Sequence, residues 1–412
     1  MKSLTKLFRY GPGPSSSHTI APSIAARSFL KLLSPYKEGE VVVTLHGSLA
    51  LTGTGHGTEK AIGDILKDHK VTFVRNIDPL DPSRPNSFEM ELRNNDKEIL
   101  KRHYASIGGG ELVSDDDLTV NEKDIYPFVD LESVKSYMNK NKITSPVAFC
   151  GDFEEPSIES ILEERLKEMF VSLETGLSKT GPIPANKNPR LQLKRTAGAI
   201  YQKAQAIKDE DSRREMLISA YAYAVSESNA CSENIVTAPT CGSAGVIPSL
   251  LYYEYHDLHK PFDLVAKSLF AAGLFGNIVK QNASIAGAIG GCQAEIGTAS
   301  SMGAAALCFI DGLSFHQEEY AAECSMEHFL GLSCDPIDGY VIIPCIERNG
   351  MGALRAYDSF LYAKYIAPLR RNEVSFDNVV EAMKLTGDSL SKAYKETAEG
   401  GLAEILNSKN ND

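Results

Sequence analysis

Three cysteines stand out by their surroundings: Cys292 in GGCQAEIG, Cys334 in GLSCDPIDG and Cys345 in VIIPCIERN. All three fall at loop or element ends; Cys334 lies 42 residues after Cys292, and Cys345 a further 11. The chain has no CxxC pair, which argues against zinc ribbons and thioredoxin-like redox pairs. Three convergent thiolates suit a soft metal or an iron–sulfur cluster. A cubane held by only three thiolates keeps one iron open, and an open iron is a Lewis acid for a hydroxyl or a carboxylate. Spacing alone does not separate this from three buried thiols, a common fate of free cysteine. Cys150, Cys231, Cys241, Cys308 and Cys324 read as packing residues, Cys241 least plainly because it sits in a loop.

A second group of candidates lies in YGPGPSSSHTIAPSIAARSFL (10–30). Gly11 to Pro14 read as a turn, and the hydroxyls of Ser15, Ser16, Ser17 and Thr19 follow just before a helix. Hydroxyls and free backbone N–H groups at a helix start make an anion site, here for a substrate carboxylate. The same residues would serve equally as plain helix caps. His18, inside that loop, can carry a proton. His56 sits between two glycines on what reads as a strand-to-helix loop, with Gly53, Gly55 and Gly57 permitting a tight turn. An imidazole's ordinary pKa suits acid–base work near neutrality. TAPTCGSAGVIP (237–248) is another donor-rich loop opening a helix, with Thr237, Thr240 and Gly242 as candidates and capping as the bland reading. GTGHG and IGGG are too loose for phosphate loops, and neither GxGxxG nor a Walker A pattern stands in a suitable context.

The elements that must position these residues divide the chain in two. EVVVTLHGSL (40–49), KVTFVRNI (70–77), SFEMELRN (87–94) and KEILKRHYASI (97–107) read as strands mixed with short helices. From residue 156 the apolar positions follow helical spacing, with further helical segments at 195–208, 212–230, 245–258, 262–281, 297–311, 316–331, 349–367 and 375–395. The expected fold is α+β: an N-terminal α/β domain with a small mixed sheet (1–152), followed by a larger all-α domain (153–412). Its Gly/Pro-rich loops display the candidate groups. The terminal NSKNND is polar and expected to fray. With 42 Lys+Arg against 54 Asp+Glu, the formal net charge of −12 argues against a nucleic-acid partner. No signal peptide is legible, and the apolar stretches 268–279 and 301–310 fall short of the ~18 residues of a membrane span. A cytoplasmic protein without disulfides or membrane association is expected. Small-residue helical faces make a homodimer the expectation.

Taken together, GPSSSHT (13–19), SLALTGTGHGTEKAI (48–62), YASIGGG (104–110), TAPTCGSAGVIP (237–248), NASIAGAIGGCQAEIGTASSMGAAAL (282–307) and MEHFLGLSCDPIDGYVIIPCIERNGMGA (326–353) resemble the iron–sulfur L-serine dehydratases. The resemblance covers nearly the whole chain, with the β-type and α-type regions fused as in single-chain members. It implies a [4Fe-4S] cluster on Cys292, Cys334 and Cys345, no pyridoxal phosphate, and a small amino-acid substrate. It further implies His56 as the base that removes the α-hydrogen and His18 as its partner. Ser15, Ser16, Ser17 and Thr19 would then bind the substrate carboxylate, with Thr237, Thr240 and Gly242 on the other side. Threonine or cysteine as substrate, or a non-catalytic iron–sulfur sensor, are the alternatives. The chain departs from the family pattern at Cys241-Gly242-Ser243 and at Asp338-Gly339-Tyr340. It also lacks the terminal cysteine that occupies the open iron in some fused members, so no self-blocking tail is expected.

Overall fold

In strand β2 (Glu40–His46), Val41, Val43 and Leu45 alternate with less buried neighbours and are fully enclosed, the period of a chain with one face on a core. The computed structural model describes all residues except 37, 53–55, 82, 96, 115–122, 184–191, 371, 398 and 409–412. Gly53 and Gly55, and most of the polar end, therefore lie outside the described residues.

Strand β1 (Tyr10–Pro12) belongs to a separate ribbon, and five strands form the main sheet. These are β2, β3 (Lys70–Asn76), β4 (Ser87–Asn94), β5 (Lys97–Gly108) and β6 (Glu111–Val113), in the order β3-β2-β4-β5-β6. Only β2 and β3 are parallel, with Val43 opposite Phe73 on one side and Met90 on the other. The helix Ala21–Leu33 lays Ala25, Ala26, Phe29 and Leu33 over Val41, Val43, Leu45, Phe88 and Met90. A mixed sheet with helices on its core side is the expected N-terminal architecture.

The rest is helical apart from β7 (Asn234–Val236). Its centre is the helix Phe262–Asn282, against which Thr298–Ile310 packs. That central helix matches the helix expected at 262–281; by length and hydropathy it passes for a membrane span, and 78% of the window is buried among the other helices. The helical core also takes in Met1, Leu4, Leu7 and Phe8, and Leu131, Val134, Met138, Phe149 and Cys150, all on the N-terminal side of residue 152.

Three local differences from the sequence reading bear on function. Gly11 and Pro12, expected within a turn, belong to the strand Tyr10–Pro12, which pairs antiparallel with β7, Tyr10 opposite Val236 and Pro12 opposite Asn234. The helix expected from 349 begins at Cys345, four residues earlier. A short helix, Ser48–Thr52, intervenes between β2 and the loop that carries His56. Periodicity misses all three because none depends on burying an alternating face.

Candidate active site

The β1–β7 ribbon is the first positioning device. Loop 13–19 leaves one of its strands and loop 237–245 leaves the other, so two donor-rich loops distant in sequence start side by side. Thr237 clamps the junction: its hydroxyl donates to the Leu7 carbonyl (2.6 Å) and accepts from the Arg9 N–H (2.9 Å). Its hydroxyl is thus engaged with backbone on both sides of the junction. Thr19 is likewise turned to backbone, its hydroxyl within 2.7 Å of the carbonyls of Pro12 and Ser15. Asn229 donates to the Pro14 carbonyl (2.8 Å).

Ser16–Ile20 forms a widened π turn that runs into the helix Ala21–Leu33. Such turns recur at functional sites because they displace side chains from regular helical positions. Ser15 Oγ lies 3.0 Å from His18 Nδ1, and the Ser16 hydroxyl meets the Cys241 thiol, joining the two loops. Ser17 is buried in the same turn.

His18 and His56 meet edge to face, ring centroids 4.3 Å apart, both fully enclosed. Burial drives both imidazoles toward the neutral form. His56 is held at about 4, and His18 lies well below its ordinary value through burial and the neighbouring His56, partly opposed by a Ser48 backbone contact. Neither ring nitrogen of His56 has a hydrogen-bond partner among the described residues. A fully buried imidazole with both nitrogens unpartnered costs stability, and such exceptions call for an explanation. A neutral imidazole of this kind is available to take a proton.

The cysteines form the opposite wall. Cys292 and Cys334 are 3% and 4% exposed with their thiols hydrogen-bonded to each other, and both sulfurs lie within 4.8 Å of a Glu295 carboxylate oxygen. Cys345 is the first residue of its helix, close enough for the charge on Cys292 to push its thiol upward, after burial itself. Cys292 is held below its usual range by the Cys334 hydrogen bond and by Arg348. Burial and the neighbouring Cys292 thus oppose ionisation of Cys334 and Cys345, and a bound cation is what would let all three ionise. Arg348 is itself anchored on the Ser333 carbonyl (2.7 Å) and on Asp335 (3.3 Å).

Asn349 ties the walls together. Its amide donates to the carbonyls of Gly242 (2.7 Å) and Cys345 (2.9 Å), and its oxygen accepts from the Gly245 N–H (2.9 Å). Thr240 donates to Glu295 (2.6 Å). A Cβ on Gly242 or on Gly287 would stand 2.9 Å from the Glu295 carboxylate, so a larger residue at either position would displace that side chain. Of the residues expected at the site, Ser15, Ser16, His18 and His56 gather on one side, and Thr240, Gly242, Cys292, Cys334 and Cys345 on the other.

Four participants were not singled out from the sequence: Glu295, Arg348, Asn349 and Glu396. The first three lie close in sequence to a candidate cysteine and could have been suspected on that ground. Glu396 carries no local signal; it enters because Cys334 donates to the Tyr394 carbonyl and accepts from the Glu396 N–H (both 2.8 Å). The 394–396 segment reaches the site, and a Glu396 oxygen lies within 4.8 Å of ring nitrogens of His18 and His56. Beside it opens a cleft of about 620 Å³ whose walls include Ser48, Ala288, Lys392, Lys395 and Thr397.

The serine dehydratase beta-chain family model matches residues 3–79 and the alpha-chain model residues 90–403. The L-serine dehydratase of Streptomyces coelicolor is 35% identical, over 97% of this chain and 98% of its own length. L-serine dehydratase 1 of Escherichia coli is 33% identical and the Haemophilus influenzae L-serine dehydratase 32%, each over 98% of this chain and 99% of its own. Matches of this extent, on a chain whose cysteines and histidines converge as described, establish that it belongs to the serine dehydratase family, with the beta-chain and alpha-chain regions fused in one polypeptide.

Proposed function

We propose that this protein is an L-serine dehydratase that converts L-serine to pyruvate and ammonia with a [4Fe-4S] cluster on Cys292, Cys334 and Cys345. The observation that carries the reading is the gathering of Cys292 and Cys334, with Cys345 near enough to feel the charge on Cys292, around a segment whose Glu396 lies within 4.8 Å of two buried, neutral histidines. The donor set fits such a group: three thiols with Arg348 beside them to offset thiolate charge, and glycines where bulk would intrude. When bound, the cluster would supply a Lewis acid for the serine hydroxyl and carboxylate.

The chain's own residues do the rest. Ser15, Ser16, Ser17 and the free N–H groups of their turn orient the carboxylate, and Lys392 and Lys395 at the cleft favour the approach of an anionic group. His56 takes the proton from Cα through a ring nitrogen, and His18, held by Ser15, orients that imidazole or shares its proton. Loss of the β-hydroxyl as water leaves aminoacrylate, which tautomerises to the imine and takes up water to release pyruvate and ammonia. The site needs no pyridoxal phosphate for this sequence. The same proposal places the enzyme in amino-acid degradation in the cytoplasm, as a homodimer, with an oxygen-sensitive centre.

The test is anaerobic reconstitution with iron and sulfide, followed by visible absorption and by assay of pyruvate from L-serine and L-cysteine and of 2-oxobutyrate from L-threonine. Cluster-dependent pyruvate from serine, lost in Cys334→Ala, is the expected result. A stable cluster without turnover would point to a sensor, and no cluster would return the three thiols to packing.

A further inference from the structure

Glu396 occupies an expensive position. Its backbone is in the left-handed region, φ 59°, which a non-glycine residue adopts at a cost and which clusters at functional sites. The strain persists because both neighbours are pinned: Lys395 bridges to Cys334, the Glu396 N–H donates to the Cys334 carbonyl, and the Thr397 hydroxyl donates to the Lys392 and Ala393 carbonyls (3.3 and 3.2 Å). The side chain is 7% exposed. Its carboxyl accepts from the Ala288 N–H, while burial first, and then the acidic neighbours Glu295 and Cys292, push its pKa well above the ordinary carboxylate range. No lysine or arginine among the described residues pairs with it. A buried carboxyl with acidic neighbours, one N–H donor and the two neutral imidazoles beside it is a site built for a cation that comes from outside.

We propose that Glu396 recognises the α-ammonium group of the amino-acid substrate, making it the residue that selects amino acids over hydroxy acids. The inference rests on the dehydratase reading and adds to it the ammonium subsite. The geometry around one substrate carbon carries it: a base nitrogen about 3 Å from the reacting C–H and a carboxylate about 2.8 Å from the ammonium on the same carbon. Those two contacts place base and carboxylate within roughly 5 Å of each other, and Glu396 lies within 4.8 Å of both imidazoles. The segment that carries it also lines the cleft beside the site, so the group that reads the ammonium stands at the side from which substrate arrives.

The experiment compares reconstituted wild type, Glu396→Gln and Glu396→Asp under anaerobic conditions. It measures KM and kcat for L-serine, the inhibition constant of L-glycerate, which carries a hydroxyl in place of the ammonium, calorimetric binding of both compounds, the spectrum of the resting cluster, and thermal melting of the cluster-free proteins. Glu396→Gln should raise KM for L-serine about 100-fold, the scale of removing one partner of a buried charge pair. L-glycerate should bind as tightly as before or tighter, the cluster spectrum should match wild type, and the melting temperature should be equal or higher. Glu396→Asp, which keeps the charge, should recover part of the affinity for serine. Equal losses for serine and glycerate would overturn the proposal in favour of a shaping role, and an altered resting spectrum would overturn it in favour of a ligand to iron. Wild type that reconstitutes but leaves L-serine untouched would sink the dehydratase reading as well, an outcome visible without any variant.

Discussion

The histidine wall and the cysteine wall are built on opposite principles. His18 and His56 come from loops flanking short elements of the sheet-bearing region, and their chemistry is set by exclusion: water is kept out and His56 has no hydrogen-bond partner among the described residues. Cys292, Cys334 and Cys345 come from the helical region and are set by connection, through the bonds of Arg348 and Asn349 and the 394–396 segment. The contrast teaches that a base needs a dry, neutral ring, whereas a ligand set needs its backbones fixed and its charge compensated. The two walls should therefore fail differently.

The largest effect is expected on the cysteine wall. Cys292→Ala should abolish both the visible absorption of the reconstituted protein and pyruvate formation, a loss of at least about 1,000-fold in turnover for removal of a metal ligand. His56→Ala should separate the walls: kcat falls about 100- to 10,000-fold, the range of general acid–base catalysis, while the cluster absorption stays as in wild type. Loss of the cluster in that variant would break the comparison.

Asn349→Ala should sit between them, because its amide links Gly242, Gly245 and Cys345. Leaving those buried groups unpartnered should cost about 2–3 kcal/mol in denaturant unfolding and shorten retention of iron against a chelator. A smaller effect follows from pH. His56 is held at about 4, below the ~6.5 of an unfolded histidine, so its contribution to stability is complete above ~6.5. As the pH falls through that value the unfolded chain takes up a proton that the folded one refuses. His56 alone should thus lower the stability of the cluster-free protein by about 2 kcal/mol between pH 7 and 5, with His18 adding in the same sense, and His56→Gln should make the fall shallower.

Thr237→Val should have the mildest effect on the site itself. Losing the brace on Leu7 and Arg9 should cost about 1–2 kcal/mol of stability with KM for L-serine unchanged. A raised KM instead would restore Thr237 to the substrate contacts expected from its loop.

The β2, β3, β4 and β5 strands and the long helices were legible because each buries a periodic apolar face, and so were the candidate cysteines and histidines, whose types and loop settings are chemical facts of the sequence. The backbone partners of Thr237 and Thr19 were not legible, because a hydroxyl in a donor-rich loop looks the same whether it faces a ligand or a carbonyl. Pairing of Tyr10–Pro12 with Asn234–Val236 was invisible, since three residues show no period and the partner is more than two hundred residues away. The sequence by itself determined which groups were available for chemistry and which segments could be helix or strand. Only the tertiary structure decided which groups share a cavity. It brought loop 13–19 beside loop 237–245, set Cys345 at a helix start, and carried Glu396 in from the end of the chain. Long-range backbone pairing and burial, unlike local periodicity, depend on contacts between segments that no window of sequence contains.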